Sequence, residues 1–202
     1  PQHVWFALED ARADKDAFLS AACGVANAVG GTALQLHDGG SVRLAIMRSA
    51  SAKDDAVAKM WQAIAGDGVL GAAQCSVSCG SQLLSVAREG QSPSSGSVVY
   101  CVTGSTTVRA LYDQFREWLV GGHVQELVRR AALSAVVVDH AASADGEWRL
   151  TSVYGFQDMP AYQTYVAEHA PELKAQSAAL FKSAQGGISF HREVFQRPAA
   201  AP

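Results

Sequence analysis

Glu89–Gly96 reads E-G-Q-S-P-S-S-G, the clearest linker in the chain: small and polar, with a proline and glycines that regular elements exclude. What stands on its two sides constrains the fold more than any motif. Before it, hydrophobic patterning predicts a strand at Val4–Leu8 and a helix from an Asp14 cap to about Val29, ended by Gly30-Gly31. A strand at Ala33–His37, a turn at Asp38-Gly39-Gly40 and a strand at Val42–Met47 follow. A second helix opens near Ser51 and carries Val57, Met60, Trp61 and Ile64. Cys75–Cys79 and Leu83–Ala87 complete the segment, as one bent strand or as a hairpin around Gly80-Ser81. After the linker come a strand at Val98–Thr103 and a helix at Thr107–Val120, broken by Gly121-Gly122 and continued over His123–Arg130. Strands at Leu133–His140 and Trp148–Phe156 flank a polar turn at Ser143–Gly146. The last strand is Ile188–Phe195. The order β-α-β-β-α-β is thus read twice, without obvious identity between the copies.

The helical region before the last strand carries Tyr162, Tyr165, Val166, Leu173, Leu180 and Phe181 on an approximate helical repeat. Pro171 lacks an N–H and clashes with the turn before it, so two segments are predicted, Pro160–Ala170 and Pro171–Phe181, with a bend between them. Glu168, His169 and Glu172 gather at the bend. They read as an acid/base site or as a capped, solvated joint, and the tendency of charge to stay exposed favours the joint.

The motif Y-x-x-E-H-A-P-x-L at Tyr165–Leu173 is joined by Trp118-Leu119, His123, the strand Arg149–Tyr154 and the closing Gly187–Phe195 with its basic Arg192. Together they resemble an uncharacterised bacterial family of the dimeric α+β barrel superfamily, with a ferredoxin-like fold, over about residues 98–195. Lys182-Ser183-Ala184-Gln185 departs from the glycine-rich stretch of that family. The resemblance implies an α+β fold in which residues 98–196 form one ferredoxin-like half and 1–89 a degenerate second copy. Residues 90–97 link them and 197–202 form a Pro/Ala tail. Such a half puts both helices on one face of an antiparallel sheet, and an apolar opposite face needs cover. Two fused halves would supply it as tandem repeats forming an intramolecular dimeric α+β barrel.

A net charge of −3 argues against a binder that neutralises nucleic-acid phosphates. No apolar run approaches the ~18–20 residues of a membrane span. Cys23, Cys75, Cys79 and Cys101 form no C-x-x-C pair and lack finger spacing, so they read as reduced thiols in an intracellular compartment, cytoplasmic or organellar. No phosphate loop, nucleophile elbow or metal-ligand spacing is present, so no cofactor and no metal is expected.

Strand alternation selects the candidate catalytic residues. If Ile188 and Phe190 face the helices, Ser189, His191 and Glu193 face the other side, with His140 on another strand and Tyr154 and Tyr100 further candidates. A histidine, a carboxylate and a tyrosine can move a proton on a small substrate. An alternating polar set is equally the signature of a solvated face. With no active-site motif, the expected function is a non-catalytic accessory protein with protein partners, docking in a larger assembly. The alternative is an enzyme on a small hydrophobic ligand, of the cofactor-independent oxygenase, isomerase or cyclase type that the resemblance permits. A carrier or sensor is a third reading.

Overall fold

The computed structural model describes residues 2–10, 15–28, 32–36, 42–50, 56–72, 74–92, 95–140, 142–143, 145–181 and 187–197. The Asp14 cap, Val29 to Gly31, the Asp38-Gly39-Gly40 turn, Ser51, Lys182–Gln185 and the tail from 198 lie outside the described residues. The chain forms two compact units, Pro1–Ser81 with Val194–Pro202, and Gln82–Glu193. The first division therefore falls before the linker, within a strand.

In the first unit, β1 (Gln2–Asp10) is followed by α1 (Lys15–Ala28), β2 (Thr32–Leu36), β3 (Val42–Ala50), α2 (Ala56–Gly66) and the start of β4 (Gln74–Ala87). β1 pairs antiparallel with β3 and β4, and β2 with β3. α1 buries Phe18, Ala22, Val25 and Ala26, a helical spacing that lays one stripe on the sheet. Leu8, Ile64 and Leu70 close that core. The break after α2 is held by the Asp67 carboxylate, which accepts from Val69 and Leu70 N–H at 2.8 and 2.9 Å. β4 runs unbroken through Gly80-Ser81, so the strand reading holds there and the hairpin reading does not.

The second unit starts with the end of β4. It continues through β5 (Val98–Thr106), α3 (Arg109–Trp118), a π turn (Leu119–His123), α4 (Val124–Arg130), β6 (Ser134–His140) and β7 (Trp148–Phe156). α5 (Met159–Glu168), α6 (Ala170–Phe181) and β8 (Ser189–Gln196) complete the order. The strands lie in the order β8-β5-β7-β6-β4. β7 pairs antiparallel with β5 and β6 over its length. β8 ends in the first unit, where Leu36 and Gln35 face Phe195 and Gln196.

Asp158 caps α5 by accepting from Ala161 N–H at 2.9 Å, with Pro160 in the first turn, where no amide hydrogen is missed. Pro171 likewise stands in the first turn of α6, so the predicted bend is present at His169. The linker is fastened at its end: Ser97 N–H and Oγ both donate to the Gln157 carbonyl. Gly96, at φ +91, lies so close to Phe156 that a Cβ would sit 2.1 Å from its carbonyl oxygen.

Register sorts the sheet of this unit into two faces. Tyr100, Val102 and Gly104 stand opposite Tyr154, Ser152 and Leu150 on one face. Tyr165 of α5 and Phe115 of α3 pack there, so this is the helix side. Gly104 makes room for Phe115, whose ring would lie 2.5 Å from any Cβ at that position. The other face carries Val99, Cys101, Val136, Val138 and Val153, all buried.

Candidate active-site pocket

β5, β7 and β8 form the floor of a cavity of ≈ 50 Å³ roofed by α3, the π turn, α4, α5 and α6. That is room for about three to five water molecules. The lining is aromatic. Tyr100 lies 6.1 Å from Tyr154 and 5.9 Å from Tyr165, ring centre to ring centre. Phe115 meets Phe190 edge-on at 5.6 Å and Phe181 at 5.4 Å. Trp118 stacks on His123 at 3.8 Å.

The wall at His123 has a specific local cause. Leu119–His123 is wound as a π turn, with Val124 N–H reaching back five residues to the Leu119 carbonyl. Gln125 Nε2 donates to the Val120 carbonyl at 2.9 Å, satisfying an acceptor that the wider winding frees. Gly121-Gly122 breaks the regular helix as expected: Gly122 leaves helical geometry (φ 159, ψ −27), so two helices meet at a kink that the wider turn closes. It turns His123 back onto Trp118. The imidazole is largely buried and its Nδ1 has no hydrogen-bond partner. Burial, partly offset by the Glu126 carboxylate, lowers its pKa to about 4, so the ring is neutral at pH 7.

The phenols are shifted the opposite way. Burial pushes Tyr100 up to about 12, although a hydrogen bond with Arg192 and its charge pull it down. Burial raises Tyr154 and Tyr165 further, with Ser152 bonded to Tyr154. All three therefore stay protonated and act as hydrogen-bond donors rather than bases. Lys174, Ser177 and Arg192 complete the polar lining, with the Arg192 guanidinium 5.2 Å from the Phe190 ring.

Of the residues chosen from sequence, Tyr154 and Tyr100 line this pocket. His191, Glu193 and His140 occupy the other face of the sheet. His191 pairs with Glu193 at 3.4 Å and its side chain is 68% exposed. His140 Nε2 lies 2.8 Å from Thr151 Oγ1, which is 2.9 Å from Thr103 Oγ1. Two strands separate β6 from β8, roughly 14 Å at the usual spacing, so the two histidines do not meet across the sheet. At the helix bend Glu172 bonds Arg130 at 2.7 Å, and Arg130 also bonds Glu126, so this carboxylate braces α4 against α6. Among the described residues no group of three or more His, Cys, Asp or Glu side chains is placed to hold a metal ion. Nor is any helix long and apolar enough to cross a membrane. A haem- or flavin-sized group does not fit the pocket as its side chains stand, since such sites span ~300–1,000 Å³.

Two antiparallel-stranded units with helices on one sheet face define an α+β protein of the ferredoxin-like type seen in dimeric α+β barrels. The solved structures alike in fold over nearly the whole chain include an anthrone oxidase-like protein, with a TM-score of 0.63 at 11% identity, covering 98% of this chain and 92% of that one. A proposed monooxygenase of Fusobacterium nucleatum gives 0.57 at 12%, covering 97% and 92%. A mutant chlorite dismutase of Candidatus Nitrospira defluvii gives 0.56 at 9%, covering 96% and 91%. At these identities the likeness is one of fold. No family model and no curated protein sequence matches the chain. The expectation of a non-catalytic docking module is corrected here. The structures of like fold include oxidase-like, monooxygenase and dismutase proteins beside a regulator of staphylococcal pathogenesis, and the helices roof an aromatic pocket, which fits the enzyme alternative better.

Proposed function

We propose that the second unit holds the active site of a small-molecule enzyme acting on an aromatic substrate without a bound cofactor, of the oxygenase, isomerase or cyclase type. The observation that carries this reading is His123. A buried neutral imidazole with an unpartnered nitrogen, held on a pocket wall by a kinked turn, is costly unless a ligand uses it. It accepts a proton from an acidic C–H or O–H of the bound ring. The protonated phenols of Tyr100, Tyr154 and Tyr165 donate to the oxyanion that forms. The electron-rich anion can then react with dioxygen directly. In a ring methylene so oxidised, two hydrogens leave and one oxygen atom stays as a ketone, while the other departs as water. The oxidase and monooxygenase names among proteins of like fold support the oxygen branch.

The two-half reading, residues 1–89 and 98–196 as related copies, is proposed alongside it; the repeated β-α-β-β-α-β order supports it. The four free cysteines support a reducing compartment.

Single-ring compounds suit the cavity, and phloroglucinol, whose keto form carries a ring methylene, is the first to try under air, with oxygen uptake and product absorbance followed together. Turnover is expected, and His123→Ala should lower it by about 10²- to 10⁴-fold, the usual worth of a positioned base. Loss of a substrate proton to solvent without oxygen uptake would select the isomerase branch. If neither occurs with a panel of hydroxylated ring compounds, and no pocket resonance shifts on their addition, the reading fails.

A further inference from the structure

We propose that the pocket is built to take an anion, specifically an aromatic compound bearing a carboxylate, with the carboxylate at Arg192 and Lys174 and the ring toward Trp118 and His123. The inference rests on the reading of the pocket as a substrate site. Its basis is a sorting of charge. The pocket lining includes two cations, Lys174 and Arg192, and no carboxylate. A neighbouring outer groove shares Trp118 and His123 with it and has the reverse lining, Glu117 and Glu126 with no cation. The stacked Trp118–His123 pair stands where the two meet.

Both pocket cations are exposed side chains, and like Arg88 neither pairs with a carboxylate among the described residues. Arg109, Arg116, Arg129, Arg130 and Arg149 each meet a carboxylate within 4.0 Å. Arg192 lies beside the Tyr100 hydroxyl and against the Phe190 ring, and its exposed guanidinium keeps donors that a ligand can take over from water. A planar fork with free N–H groups beside an aromatic box matches a ring carboxylate, which accepts two parallel hydrogen bonds. On the far side of Trp118 the Glu117 carboxylate disfavours a second carboxylate, Glu126 being paired with Arg130, so charge favours this orientation of the ligand.

Benzoate and benzamide differ in charge but hardly in shape, and a single ring is the smallest aromatic probe for a cavity of ≈ 50 Å³. Titrating each into the whole protein, with Trp fluorescence and calorimetry as readouts, tests the proposal. Benzoate is expected to bind at least about tenfold tighter, as charged hydrogen bonds imply. Arg192→Gln and Lys174→Gln should each weaken benzoate several-fold and leave benzamide unchanged, the latter also showing that the variants fold. Equal binding of the two compounds, or equal loss of both in the variants, overturns the anion assignment while leaving the pocket itself standing. Failure of both to bind overturns the pocket reading with it.

Discussion

His123 carries its own pH signature. The unfolded chain takes up a proton at this residue near pH 6.5, its ordinary value, whereas the folded chain refuses it until about pH 4. Below pH 6.5 the unfolded state therefore binds more protons, and stability falls as the pH is lowered through that window. A shift of this size corresponds to roughly 3 kcal/mol at most. His123→Leu removes the group, so denaturant melts from pH 7.5 to 4 should show the variant losing up to about 3 kcal/mol less than the wild type. Identical pH profiles would mean that the imidazole is not buried neutral. At this scale the sequence shows its limit most clearly. Alternation along β8 separates Phe190 and Arg192 from His191 and Glu193 correctly, because a strand has a period of two. It does not say which face holds a cavity. Polar residues drew attention to the face carrying His191, while the roofed pocket lies on the face carrying Arg192.

Elements were far more legible than sites. Trp148–Phe156 forms the predicted strand end to end, and Pro171 places the bend between α5 and α6 where a missing N–H costs nothing. The π turn was not legible as such. W-L-V-G-G-H reads as a helix interrupted by glycines, and nothing in the letters distinguishes a loop from a kinked, wider turn. The distinction decides where His123 points. Deleting Gly121 should restore regular winding and rotate His123 by about 100° around the helix relative to Trp118. In that variant the imidazole should titrate closer to 6.5 than to 4, read from its ring proton shifts across pH, while circular dichroism keeps its helix content. A variant whose histidine still titrates near 4 would show that burial does not depend on the turn.

For the whole molecule, the repeated order of elements was readable because each half alternates periods of two and 3.6 in the same sequence. The compact division of the chain was not, because β4 continues through Gly80-Ser81 as one strand of 14 residues. A glycine and a serine look like a turn in sequence, but β4 pairs with β1 up to Ser81 and extends the strand past it. Buried Cys101 turns this architecture into an internal clock. Its thiol lies in the sheet of the second unit, 4% exposed, and burial first, then the Glu193 charge, raises its pKa well above the usual range. Cys79 is exposed on the same chain. A maleimide should therefore label Cys79 at once and Cys101 only during openings of the sheet around it, so mass spectrometry of the two peptides over time yields an opening rate without any denaturant. Equal labelling rates would contradict that burial. The chain thus holds both the fast and the slow hand needed to time its own breathing, and any compound that settles in the neighbouring pocket should slow the second hand alone.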